Sequence, residues 1–131
     1  MRASPIPLIY SHSLSTAYTN AALSSNLTHP NPANTEACLA YTMLIAHALR
    51  GWSKTDLAHE LGNWEFKTEN LRKRLEGMKA VGDWEARVED SIKSTGWVVD
   101  TLEASCWAFF STNGFKEGAL KVVNLGEPPP L

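Results

Sequence analysis

The sequence predicts an all-α fold. Apolar residues recur at three- and four-residue spacing along most of the chain, no segment shows the strict alternation of a half-buried strand, and glycine, proline and asparagine punctuate the periodic runs. The 131 residues suit one domain, expected to span 1–131. Hydrophobic residues at 44% and charged residues at 20% match a soluble globular protein and argue against disorder. Twelve basic against 14 acidic residues leave a net charge of −2, so a nucleic-acid partner is not expected. No apolar run approaches the ~20 residues of a membrane helix. Met1-Arg2-Ala3-Ser4-Pro5 precedes no long apolar leader, which makes a cytoplasmic location the default.

The elements follow in order. Ile6 to Tyr10 is apolar and sits after prolines of the kind that open a helix. Leu14, Ala17, Tyr18, Ala21, Ala22 and Leu23 form one helical face, and the pattern breaks from Asn26 to Asn34. His29-Pro30-Asn31-Pro32 reads as a turn. Asn34 or Thr35 is expected to cap the next helix, which runs through Ala37–Leu49, is apolar around much of its circumference and is therefore central. Gly51 ends it. Ser53-Lys54-Thr55-Asp56 opens a more polar helix that stops at Gly62. Glu65 to Glu76 reads as an exposed charged helix with Leu71 and Leu75 as its spine. Gly82 to Ser94 gives no clear element, and Ser94-Thr95-Gly96-Trp97 is a turn. Val98 to Phe110 has a β-branched start that suits a strand, but its length and its Leu-Glu-Ala content favour a buried helix. Asn113-Gly114 breaks it, and Phe115–Leu125 closes the chain as a short amphipathic helix.

Few side chains suggest chemistry on their own. Cys38 and Cys106 each lie in an apolar run, where two free thiols are favoured over a disulfide, and their spacing is not that of a metal site. His12, His47 and His59 have no partner at ligand spacing and suit a helix surface or a core edge. Arg72-Lys73-Arg74, interleaved with Glu69 and Glu76, reads as a solvated helix face. Trp52, Trp64 and Trp84 fit a core or an interface equally well. Asn26-Leu27-Thr28 matches a glycosylation sequon with no secretory signal to support it.

Two longer blocks are more specific. The first is Met1-Arg2-Ala3-Ser4-Pro5-Ile6-Pro7-Leu8, followed by Leu27-Thr28-His29-Pro30. The second is Ser94-Thr95-Gly96-Trp97-Val98-Val99-Asp100-Thr101-Leu102-Glu103-Ala104, then Trp107-Ala108-Phe109, Phe115-Lys116-Glu117-Gly118 and Val123-Asn124-Leu125-Gly126. In order and spacing they resemble the ADP-ribosylglycohydrolase family, which includes the ADP-ribosylhydrolases and the dinitrogenase reductase-activating glycohydrolase. The resemblance spans nearly the whole chain and is weakest from Asn63 to Asp90. It implies an orthogonally packed helical fold and hydrolysis of the bond between ADP-ribose and a protein side chain or small acceptor, with two Mg²⁺ ions in a central cleft. Such ions orient ribose hydroxyls, place a water and stabilise developing charge, and they need carboxylate oxygens.

By the same resemblance, His29 and the Gly96-Trp97 turn border the ADP-ribose cleft, with the Trp97 ring able to stack on adenine or ribose. The residues alone also allow a surface histidine and a core-edge tryptophan. Asp100 and Glu103 lie one helical turn apart and share a face. They read as ordinary solvated or capping charges, or, with the family, as groups supporting the site from behind. Arg2 matches a cleft-lining arginine and suits an ion pair within the fold.

The family's metal ligands come from an early Asp-Asp motif, upstream of the block that opens here at Met1, and from a late Asp-x-Asp-Thr motif. The late pair falls about where Pro128 and Pro130 stand, and proline has no side-chain oxygen. The expectation is the middle portion of the family fold, cut at both ends, with no catalytic or metal-binding residue of its own and little activity alone. The alternative is a non-catalytic helical module that binds ADP-ribose or a protein. Missing helices would leave apolar faces exposed, so self-association is also expected.

Overall fold

The computed structural model describes residues 3–93 and 95–125. Among them are eight α-helices and no strand: α1 (Pro5–Ile9), α2 (Leu14–Thr28), α3 (Pro32–Leu49), α4 (Lys54–Gly62), α5 (Glu69–Leu75), α6 (Val81–Glu85), α7 (Val98–Phe110) and α8 (Phe115–Val123). A single 3₁₀ turn at Glu89–Ser91 links α6 to α7. The all-α expectation holds.

Helix α3 is the hub. It packs on α1, α2, α4, α5 and α7, as its apolar circumference predicts. It starts earlier than Asn34 or Thr35. The Asn31 Oδ1 accepts the Ala33 N–H at 2.9 Å, and Pro32 fills the first turn, where its missing N–H costs nothing. Helix α2 likewise runs on to Thr28, so the segment between the two helices is only His29 to Asn31. Thr35 Oγ1 donates to Asn26 Oδ1 at 2.9 Å and ties the two helices across this turn. At the other end of α3, Gly51 takes φ +89°, the left-handed conformation that a helix-ending glycine supplies cheaply. Ser53 then caps α4 by accepting the Asp56 N–H at 3.2 Å.

The second axis is α7, which contacts α3, α5, α6 and α8. Its bounds are those the sequence predicts, with Trp97 as N-cap. One face buries Val99, Leu102, Cys106, Trp107 and Phe110. The expected exposed helix from Glu65 to Glu76 shrinks to α5, whose spine, Leu71 and Leu75, is fully buried. Helix α6, which the polar Gly82–Ser94 segment did not predict, exists to deliver Trp84 to the core, where it stacks on Phe110 at 5.7 Å between centroids. Gly62 packs so closely on the α5–α6 connection that a β-carbon there would lie 2.6 Å from the Lys79 Cα. No helix among the described residues is long and apolar enough to cross a membrane.

Candidate functional site

The two sequence blocks meet in space. The end of α2 and the following turn supply Ser24, Ser25, Thr28 and His29, α3 supplies Asn34 and Cys38, the N-terminal segment supplies Ala3, and α7 supplies Val98. Together they line a half-polar pocket of about 120 Å³. The early block and the late block, some seventy positions apart, therefore share one wall. His29 caps α2 and is exposed, with its Nδ1 3.1 Å from Thr28 Oγ1. The Asn31 N–H donates to the His29 carbonyl at 2.7 Å and fixes the turn that carries the imidazole.

The Gly96-Trp97 turn opens α7. Thr95 Oγ1 accepts the Trp97 N–H at 3.2 Å. Gly96 is exposed, and a β-carbon there would meet nothing within 4 Å, so nothing among the described residues demands glycine at that position. Trp97 keeps 42% of its surface exposed, and the Arg74 guanidinium lies over its ring, 5.6 Å from the centroid.

Asp100 and Glu103 share a face as predicted, but they are not solvated charges: they are 4% and 1% exposed. Arg74 Nη1 donates to Asp100 Oδ1 at 2.7 Å and to Glu103 Oε1 at 3.3 Å. Thr95 Oγ1 donates to Asp100 Oδ2 at 2.5 Å. Arg87 Nη2 stands 3.4 Å from Glu103 Oε2, an ion pair without hydrogen-bond geometry, so that oxygen has no hydrogen bond. Burial pushes the Asp100 carboxyl up, but the hydrogen bonds from Thr95 and Arg74 and the Arg74 charge outweigh it and hold the group below its ordinary value. The hydrogen bond to Asp100 in turn pushes Arg74 up, so the guanidinium stays charged.

Arg74 and Arg87 are the residues that sequence reasoning missed. Both lie in the segment where no motif matched. Arg74 does not belong to a solvated face: it follows Leu71 by three positions and adjoins Leu75, so it shares the buried side of α5. That register was the available signal. Its neighbours do conform, since Lys73 pairs with Glu69 at 3.1 Å in solvent and Arg72 donates to the Phe66 and Lys67 carbonyls.

The remaining candidates are placed simply. His47 is buried and stacks on Trp52 at 4.0 Å, at a core edge. His59 is exposed and bonds Asn63. Trp64 packs edge-on against Tyr18. Cys38 and Cys106 are free thiols, and burial, with the Glu103 charge, pushes Cys106 up to about 12. Arg2 lies outside the described residues, as do Pro128 and Pro130.

A sequence model described as ADP-ribosylglycohydrolase matches residues 1–128. The chain belongs to the ADP-ribosylglycohydrolase family. It is similar to the ADP-ribosylarginine hydrolase Tri1 of Pseudomonas putida (strain GB-1), 29% identical over 127 residues that make up 97% of this chain and 32% of that protein. It is also similar to the protein of the same name from Serratia proteamaculans (strain 568), 26% identical over 97% of this chain and 33% of that protein. The chain thus spans about a third of the length of the curated relatives it matches. No solved structure gives a significant match.

The metal pair that the family resemblance implies does not fit the described residues. Among them, no three His, Cys, Asp or Glu side chains come together as a metal-holding group. The two buried carboxylates that do adjoin, Asp100 and Glu103, are already engaged by two arginines. A carboxylate neutralised in this way offers a divalent ion little.

Proposed function

We propose that this chain carries the ADP-ribose-facing wall of an ADP-ribosylglycohydrolase, and that by itself it holds no Mg²⁺ and cleaves no ADP-ribose bond. The observation that carries the reading is the shared pocket. It joins the His29 turn to the start of α7, beside the Gly96-Trp97 turn, although the two are distant in sequence. The pocket offers hydroxyls, an imidazole and an amide, groups suited to ribose hydroxyls, while Trp97 offers a flat ring for a base. The arginine-bound state of Asp100 and Glu103 supports a structural use of both carboxylates rather than a metal-binding one. The name of the relatives suggests ADP-ribose on arginine as the substrate class. Two free thiols suit a cytoplasmic location.

The purified chain, incubated with an ADP-ribosylarginine protein and Mg²⁺, is expected to release free ADP-ribose at no more than the background rate. Turnover comparable to that of an intact family member would overturn the reading. Calorimetric titration separates the remaining alternatives. ADP-ribose binding that weakens in His29→Ala or Trp97→Ala supports the binding wall. Millimolar or weaker binding that His29→Ala leaves unchanged points instead to a module that contacts only proteins.

A further inference from the structure

We propose that Arg74 is the positioning residue of the Trp97 ring. One guanidinium does three things at once: it bonds Asp100 at 2.7 Å, bonds Glu103 at 3.3 Å and lies over the Trp97 ring at 5.6 Å from the centroid. The first two contacts fix its plane. The two carboxylates sit one turn apart on α7, and α5 presents Arg74 from its buried side. A guanidinium whose Nη1 is held between two acceptors is restrained from swinging away from the ring. The ring is only partly packed: it keeps 42% of its surface exposed at the N-cap of α7, and among the described residues Arg74 is the cation that lies over it. Trp97 therefore takes its orientation from the ion-pair cluster beneath it, in which Glu103 has a second positive neighbour, Arg87, from the α6 side.

The planar fork matters as well as the charge. A lysine ammonium has three donors and can also bridge two acceptors, as Lys54 Nζ does between the Phe109 and Thr112 carbonyls, but it has no flat face to lay on an aromatic ring. Arg74 acts on a ligand only through Trp97. This last step rests on the proposed function, whereas the ring's orientation does not.

The test uses the chain labelled with 5-fluorotryptophan. Its five tryptophans give separate ¹⁹F lines, and the Trp97 line is the one lost in Trp97→Phe. Two variants are read. Arg74→Lys keeps a positive charge for the carboxylates. The triple variant Arg74→Met with Asp100→Asn and Glu103→Gln removes every charge of the cluster that touches Arg74, and so avoids stranding buried carboxylates. In both, the Trp97 line is expected to move to the shift and the solvent-isotope response of a freely exposed indole, while the other four lines hold. A Trp97 line unmoved in either variant overturns the proposal. ADP-ribose titration of the same two proteins is expected to show about two- to fivefold weaker binding, the scale of one exposed cation–aromatic contact. If the unaltered chain binds no ADP-ribose, the proposed function fails, and the fluorine lines still decide the role of Arg74.

Discussion

The two ends of α7 solve opposite problems. At its N-terminal end two buried carboxylates meet two arginines and a threonine hydroxyl, and every charge brought out of water has a partner of opposite sign. At its C-terminal end the problem is an excess of apolar surface. Tyr41, Leu44, Ile45, Leu57, Leu102 and Phe109 line an apolar groove of about 210 Å³ between α3, α4 and α7. Phe109 and Ser105 carry it on toward α8, which buries none of its own residues and leaves Phe115 92% exposed. Buried charge must be satisfied within the fold because the cost of leaving it unpaired is large. Exposed apolar surface is tolerated locally and shows its cost only when molecules meet.

The sharpest way to break this contrast is to remove Arg74. Arg74→Met leaves Asp100 and Glu103 buried without their shared ion-pair partner, with Arg87 beside Glu103 alone, and the expected loss is about 3–5 kcal/mol in unfolding free energy. Urea titration measures it, and a loss under about 1 kcal/mol would mean that the ion pairs are not as dry as their burial implies. At the other end the expected change is in association. The unaltered chain is expected to sediment with a weight that rises with concentration. Phe115→Glu combined with Val123→Glu is expected to return it to a monomer while moving the unfolding free energy by no more than about 0.5 kcal/mol, as for other surface changes. A monomer before substitution would remove the association side of the comparison. The smallest effect is the acid response. Asp100 is held below its ordinary value of 3.8, so it contributes stability that is fully present above that value and lost as pH falls through the folded one. Acid titration of stability is expected to be shallower below pH ~4 in Asp100→Asn, which lacks this contribution, than in the unaltered chain. Equal slopes would show that the carboxyl titrates normally.

Much of this was legible beforehand, and the misses have physical causes. Helix α7 was predicted end to end because its apolar run is long and its boundaries carry Gly96 and Asn113-Gly114. The sequence pattern places the start of α3 too late because Pro32 suits a turn as well as it suits the first turn of a helix, where it sits. Helix α6 escapes the sequence reading because five residues hold barely one turn, too short for periodicity to register; burial of Trp84 and the Asp83 Oδ2 that accepts the Ala80 N–H at 3.0 Å hold it. Around the candidate site, the family pattern singles out His29, Gly96, Trp97, Asp100 and Glu103. It does not single out Arg74 and Arg87, because their partners are remote in sequence and no local spacing encodes such a pairing.

The sequence therefore settled the helical class, the central place of α3 and the family, since these depend on periodicity and ordered motifs that lie along the chain. The tertiary structure alone decided that the early and late motifs share a pocket, that Asp100 and Glu103 are buried rather than solvated, and that Arg74 and Arg87, from a segment without a recognised motif, pair with them. Those are matters of which side chains meet after folding, and burial converts a charge that water would screen into one that needs a particular partner.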